Sequence, residues 1–300
     1  MRSLATDRSG KIYVGAQGEF GYLELSTTGD PVFRSLVESI PPKHRDFGDV
    51  WTTVVSSSGV FFQTKSVIFL WDGNRMKFWV SKSGFHTFFG VHDRFFVREI
   101  DVGLLEYTGG TFNLVPAGEL FSTMRVSAIL PFSDNTLTVV SRDDGLFHMN
   151  GRGINAVDTG ITAYIKRFGV YNGRLLSSGE YALATLGGGL VVSDIRGELI
   201  EVFDKSTGMP DDVVNFVSED HEGNLWLALN SNGLVRIDYG SPVRVFGRKE
   251  GIEGTISDIS HSNLGLLVST SGGVFRKEIG GSFTRVQCVR RAWAAQEVSD

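Results

Sequence analysis

The stretch LALNSNGLVRID, Leu227 to Asp238, decides the fold: an apolar run, a polar step, then Gly-Leu and a second run. The phrase returns in VREIDVGLLEY (Val97 to Tyr107), VSRDDGLFHM (Val140 to Met149), LATLGGGLVVSD (Leu183 to Asp194) and VSTSGGVFRKE (Val268 to Glu278). The glycines that open the second run are Gly103, Gly145, Gly189, Gly233 and Gly273, spaced 42, 44, 44 and 40 residues apart. Two weaker copies precede them. VGAQGEFGYLEL (Val14 to Leu25) has its glycine at Gly21, and FQTKSVIFLWD (Phe62 to Asp72) has Val67 in that place. A period of about 40 residues belongs to solenoids, propellers and arrays.

The sixth unit shows what the period contains. VNFVSED (Val214 to Asp220), LWLAL (Leu225 to Leu229), LVRID (Leu234 to Asp238) and PVRVFG (Pro242 to Gly247) are short apolar runs separated by turn residues. Runs of this length, rich in Val, Ile and aromatics, read as strands. Asp220 to Gly223 suits a tight turn with one residue at positive φ, which glycine adopts cheaply. Asp7 to Gly10, Ser58-Gly59, Tyr171 to Gly173 and Asn263 to Gly265 read as the same turn in other units. Four strands per unit and seven units predict an all-β, seven-bladed β-propeller with four antiparallel strands per blade. The expected blades are 1–49, 50–84, 85–124, 125–160, 161–210, 211–253 and 254–288, with 289–300 as a tail or the start of a following region. The 22 Phe and 37 Gly fit wedge-filling rings and many turns, Trp226 reads as core, and no stretch shows sustained helical periodicity.

The net charge of −5 comes with no basic run, so a nucleic-acid surface is not expected. A single cysteine, Cys288, excludes an intramolecular disulfide. No run reaches the ~18 apolar residues of a membrane span, and MRSLATDRSG has no apolar signal core. Both ends read as cuts in a longer polypeptide or as the ends of a fragment expressed alone, and the sequence leaves the two readings open. Gly-x-Ser-x-Gly, His-Glu-x-x-His and Cys-x-x-Cys motifs are absent, and no cofactor or metal is expected.

The phrase FDKSTGMPDDVVNFVSEDHEGNLWLALNSNGLVRID (Phe203 to Asp238) resembles the two-component regulator propeller repeat. The matching residues are Gly208, Met209, Pro210, Val213, Asp220, Gly223, Leu225, Trp226, Gly233 and Leu234; Met209 for Leu and Leu227-Ala228-Leu229 for Val-Gly-Thr are departures. The likeness is strong over roughly Gly160 to Phe275 and weaker before. The resemblance implies a signal-input propeller, periplasmic or extracytoplasmic, standing ahead of a membrane span and an output domain in bacterial hybrid regulators. Several members sense glycans. A small-molecule or oligosaccharide ligand is therefore implied, and a homodimer formed through the propeller or its flanking domains is a second expectation.

Propeller geometry brings two sets of residues to one mouth. Trp51, His86, Arg125, Tyr164 and Asn215 stand near the starts of innermost strands. Gln17, Glu19, Lys65, Arg98, Arg142, Thr185, Asn230 and Thr270 follow second strands. The expected ligand residues are Gln17, Glu19, Trp51, Lys65, His86, Arg98, Arg125, Arg142 and Tyr164. The cationic members suit an acidic or sulfated sugar, and Trp51 and Tyr164 suit stacking on a sugar face. Two alternatives stay open: a propeller lyase or glycan hydrolase using His86 and Tyr164, and a protein-interaction scaffold.

Overall fold

A computed structural model describes residues 3–240, 246–248, 250–262, 265–278, 282–286 and 292–294. Seven antiparallel sheets form, each with its strands in chain order. The first has β1 (Ser3–Thr6), β2 (Ile12–Gly15), β3 (Phe20–Leu25) and β4 (Pro31–Ser35). The second has β5 (Val50–Ser56), β6 (Gly59–Thr64), β7 (Val67–Trp71) and β8 (Met76–Val80). The third has β9 (Phe85–Val91), β10 (Arg94–Glu99), β11 (Gly103–Thr108) and β12 (Thr111–Leu114). The fourth has β13 (Val126–Ser133), β14 (Thr136–Ser141), β15 (Leu146–Asn150) and β16 (Gly153–Val157). A helix, α1 (Thr162–Phe168), then precedes β17 (Val170–Leu175), β18 (Tyr181–Thr185), β19 (Leu190–Ser193) and β20 (Leu199–Phe203). The sixth sheet has β21 (Val214–Glu219), β22 (Leu225–Leu229) and β23 (Leu234–Ile237). Its expected fourth run, from Pro242, lies largely outside the described residues. The seventh has β24 (Ile256–Ser262), β25 (Gly265–Thr270), β26 (Gly273–Lys277) and β27 (Phe283–Arg285). The protein is an all-β, seven-bladed β-propeller.

The chain divides into two compact units, Met1–Asp220 with Leu225–Ile237, and His221–Asn224 with Asp238–Asp300. In the first, the innermost strands β1, β5, β9, β13, β17 and β21 each touch the next. The second strands are buried on both faces: Val60 to Thr64 of β6, Phe95 to Glu99 of β10 and all of β18. This explains their unbroken apolar character, since a strand covered on both sides has no solvent face to alternate with. Between blades 1 and 2 the wedge is aromatic, with Phe20 stacked on Phe62 at 4.4 Å and Phe69 at 5.1 Å from Phe20. Between blades 2 and 3, Phe61, Phe88, Phe95, Tyr107 and Trp79 form a second ring cluster. Between blades 4 and 5 the filling is aliphatic and small: Ala128, Leu130, Val140, Leu183 and Val191, with Tyr181. The second unit has its own core of Ile252, Val268, Phe275 and Phe283.

Several local readings change. Tyr171, Asn172 and Gly173 lie inside β17, and the hairpin turn comes later, closed by Leu176 N–H to Glu180 O at 2.8 Å. Asn-Gly is a turn signal in isolation, but a Cβ at Gly173 would sit 2.8 Å from Leu183 and 3.0 Å from Ala128. Glycine is there because two blades approach closely. The helix α1 is too short to show a periodicity; buried Ile161 and Ile165 pin it, and Thr162 Oγ1 accepts from Thr159 N–H at 2.9 Å. Trp226 is not core: it is 41% exposed on the face opposite Leu225 and Leu227, and its indole N–H donates to Asp220 at 2.8 Å. That contact explains the spacing of Asp220 and Trp226 in the repeat phrase, since the ring clasps the turn that Asp220 begins.

Candidate functional site

The site lies where the innermost strands begin and the second strands end. A bulge recurs there. Register shifts fall between Val50 and Thr52, Val126 and Ala128, Val170 and Asn172, and Val214 and Phe216. In blade 3, His86 and Thr87 stand opposite Arg98 alone. A bulge turns one extra side chain out of the ladder. The residues so placed are Trp51, His86, Ser127, Tyr171 and Asn215, one from each of blades 2 to 6. Trp51 is 40% exposed and Tyr171 53% exposed. Neither ring has a hydrogen bond or ring contact among the described residues.

Tyr171 was missed because its Asn-Gly neighbours read as a turn. Val214 follows Gly189 by the same interval as Val170 follows Gly145, and that equality marks Tyr171 and Asn215 as equivalent. Tyr164, expected in this slot, instead lies in α1. Its hydroxyl donates to Gly188 O, its ring packs on Phe168 at 4.6 Å, and burial, with Asp204 and Asp212 nearby, pushes its pKa up to about 12.

A main-chain stitch fixes the second set. The first N–H of the following innermost strand donates to a carbonyl just past the second strand: Val50 to Ala16 at 2.9 Å, Phe85 to Lys65 at 2.7 Å and Val170 to Arg142 at 2.7 Å. Arg142 N–H in turn donates to Arg125 O at 2.8 Å, so two arginines of blade 4 start from adjacent backbone. Gln17 and Lys65 are exposed beside their stitches, and the Lys65 stem lies against Gly84. Lys65 and Arg125 meet no carboxylate among the described residues. Arg142 reaches only Asp143, at 3.7 Å, and its Nε is buried without a hydrogen-bond partner.

Arg98 does not belong with them. It pairs with Leu104, the residue after the step glycine, as Gln63 pairs with Ile68, Val140 with Leu146 and Ala184 with Leu190. This register points between blades. Arg98 is 4% exposed, and its guanidinium donates to Phe121 O at 2.8 Å and Ser122 O at 2.6 Å. It does with a side chain what the main chain does elsewhere. Gln63 acts alike, donating to Thr64 O at 2.8 Å and His86 O at 3.0 Å. Burial, then Arg125, lowers the Arg98 pKa, with Asp101 opposing.

Glu19, Thr185 and Thr270 are also committed to structure. Glu19 accepts from Phe20 N–H at 3.0 Å and Ser35 Oγ at 2.7 Å. Thr185 Oγ1 donates to Gly189 O at 2.7 Å and accepts from Gly188 N–H at 2.9 Å. Thr270 and Thr64 lock their turns in the same way.

His86 sits among the cations. Its Nδ1 is 2.9 Å from Thr87 Oγ1. Burial, then the fields of Arg98, Arg125 and Arg142, lowers its pKa to about 4. A neutral imidazole thus faces arginines, with Nε2 unpartnered among the described residues. At the opposite end of the blades an open cleft of about 430 Å³ is lined by His92, Pro131, Phe132, Asp134, Leu175 and Ile195. It holds none of the expected site residues.

No protein-family model matches the sequence, and no curated protein does. Among solved structures, the WD40 β-propeller domain of Doa1 is similar, with a TM-score of 0.56 at 14% identity over 78% of this chain and 77% of that one. The computationally designed Ika8 protein has a TM-score of 0.52 at 15% identity over 94% and 85%. At such identities the likeness speaks for the fold alone. The extracellular domain of a hybrid two-component system from B. thetaiotaomicron has a TM-score of 0.42 at 14% identity, covering 96% of this chain and 46% of that one. The chain therefore spans less than half the length of that domain.

Proposed function

We propose that the chain is a non-catalytic, ligand-sensing propeller, the signal-input part of a bacterial two-component-type regulator that works outside the cytoplasm. One observation carries the reading. The fold needs no exposed aromatic rings or unpaired cations where its innermost strands begin, yet Trp51, Tyr171, Lys65 and Arg125 are placed there, exposed. Side chains held on a rigid scaffold without a structural task are the usual form of a binding surface. The repeat phrase around Asp220 and Trp226 connects this surface to sensor propellers.

The catalytic alternative lacks its second group. His86 is neutral and available, but the Tyr164 hydroxyl is hydrogen-bonded to Gly188 O and hard to ionise. The test is a thermal-shift screen against neutral and acidic oligosaccharides, with parallel incubation on polyuronates. Stabilisation by an oligosaccharide without turnover is the expected result. New unsaturated product, lost in His86→Ala, overturns the non-catalytic assignment.

A further inference from the structure

We propose that the innermost-strand starts hold a site for a small ligand bearing an oxyanion (carboxylate, sulfate or phosphate), gripped by Arg125 and Arg142 and flanked by the rings of Trp51 and Tyr171. This names the ligand chemistry of the surface described above and rests on that reading.

Four observations converge. Arg125 and Arg142 leave adjacent backbone, joined by the 2.8 Å bond from Arg142 N–H to Arg125 O, so their side chains serve one location. Arg125 is exposed and has no hydrogen bond or ion pair among the described residues. The Arg142 Nε is buried without a hydrogen-bond partner, its one ion-pair contact among the described residues being Asp143 at 3.7 Å. The carboxylate within reach, Asp143, lies 3.7 Å away and is mostly exposed, which leaves the local balance positive. Arginine's planar fork matches two oxygens of an oxyanion, a match an ammonium lacks.

His86, one blade before these arginines, adds a neutral hydrogen-bonding nitrogen and no further charge. Its depressed pKa, about 4, reports the same positive field. Trp51 and Tyr171 stand in the equivalent bulge position of the blades before and after the pair β9 and β13. Exposed, two-torsion rings provide contact area at small entropic cost. The arrangement is therefore a cationic centre on blade 4 with one exposed ring on blade 2 and one on blade 5, suited to an anionic molecule with an apolar or sugar face.

Titration calorimetry at low salt tests this with three anionic probes, digalacturonate, a sulfated disaccharide and pyrophosphate, and with maltotriose as the neutral control. These separate carboxylate, sulfate and phosphate. At least one anion binds the parent protein, weakens with added salt, and weakens by about ten-fold or more in Arg125→Gln/Arg142→Gln. Arg125→Gln alone, at an exposed position, gives part of that loss without a folding question. On binding, the His86 imidazole resonances move and its titration midpoint rises, because the anion offsets the arginine field. Anions that bind neither protein, or bind the double variant as tightly as the parent, overturn the inference. Maltotriose binding without binding of any anion also overturns it while leaving a sensor in place; failure of every probe and of the wider oligosaccharide screen counts against both.

Discussion

The wedge between blades 1 and 2 and the wedge between blades 4 and 5 do one task with different materials. The first is packed with Phe20, Phe62 and Phe69. The second closes on Ala128, Val140, Leu183 and Gly173, with few rings. The polar stitching differs as well. Blades 2 and 3 use Gln63 and Arg98 at the register position that Val140 and Ala184 fill in blades 4 and 5. Between blades 4 and 5 the hydrogen bonds run from Val170 N–H to Arg142 O at 2.7 Å, from Ser127 Oγ to Val170 O at 2.6 Å and from the Tyr181 hydroxyl to Pro131 O at 2.7 Å. From blades 2 and 3, Gln63 and Arg98 reach instead from the ends of second strands to carbonyls of the next segment, His86 O, Phe121 O and Ser122 O.

Deleting a ring is the hardest test of that contrast. Phe62→Ala should cost about 3–5 kcal/mol, and Val140→Ala, equally buried, about 2 kcal/mol. Urea denaturation of both variants measures this, and equal losses would erase the distinction. Next is Arg98→Met, which keeps the stem and leaves the carbonyls of Phe121 and Ser122 without their donor. A loss of about 2–3 kcal/mol is expected, with anion binding at the neighbouring site retained. Coincident loss of binding at unchanged fold would return Arg98 to the ligand.

The smallest effect is pH dependence at blade 3. The folded pKa of His86, about 4, lies below its ordinary value of 6.5. Between these values the unfolded chain holds the extra proton, so stability falls as pH drops through that window and levels off below it. The loss is on the order of 1–2 kcal/mol once partial exposure is allowed for. Melting temperatures of the parent and His86→Gln should run parallel above pH 6.5, and only the parent should show this loss between pH 6.5 and 4.

The blades were legible because the step between second and third strands needs a tight turn in every copy. Gly103, Gly145 and Gly273 all take positive φ there. Side-chain direction was harder to read. Arg98 reads with Lys65 and Arg142 as a cation near the end of a second strand, yet it stands five residues before its step glycine and Arg142 only three. Arg98 pairs with Leu104 as Val140 pairs with Leu146 and Ala184 with Leu190, and this places it in the interior. Tyr164 and Tyr171 were exchanged for a related reason: α1 inserts before blade 5, and nothing local in ITAYIKRFGVYNG marks where the strand resumes. Trp51, His86, Arg125 and Arg142 stand out in the sequence because they depart from the repeat at places the repeat defines.

The bonds at Ala16, Lys65 and Arg142 join main chain to main chain. The joint is therefore indifferent to which side chain the residue carries. Substitution there can alter what the surface recognises while leaving the attachment between blades unchanged, so recognition and architecture are inherited separately. A propeller built this way can drift from one ligand to another through single changes that the fold does not register.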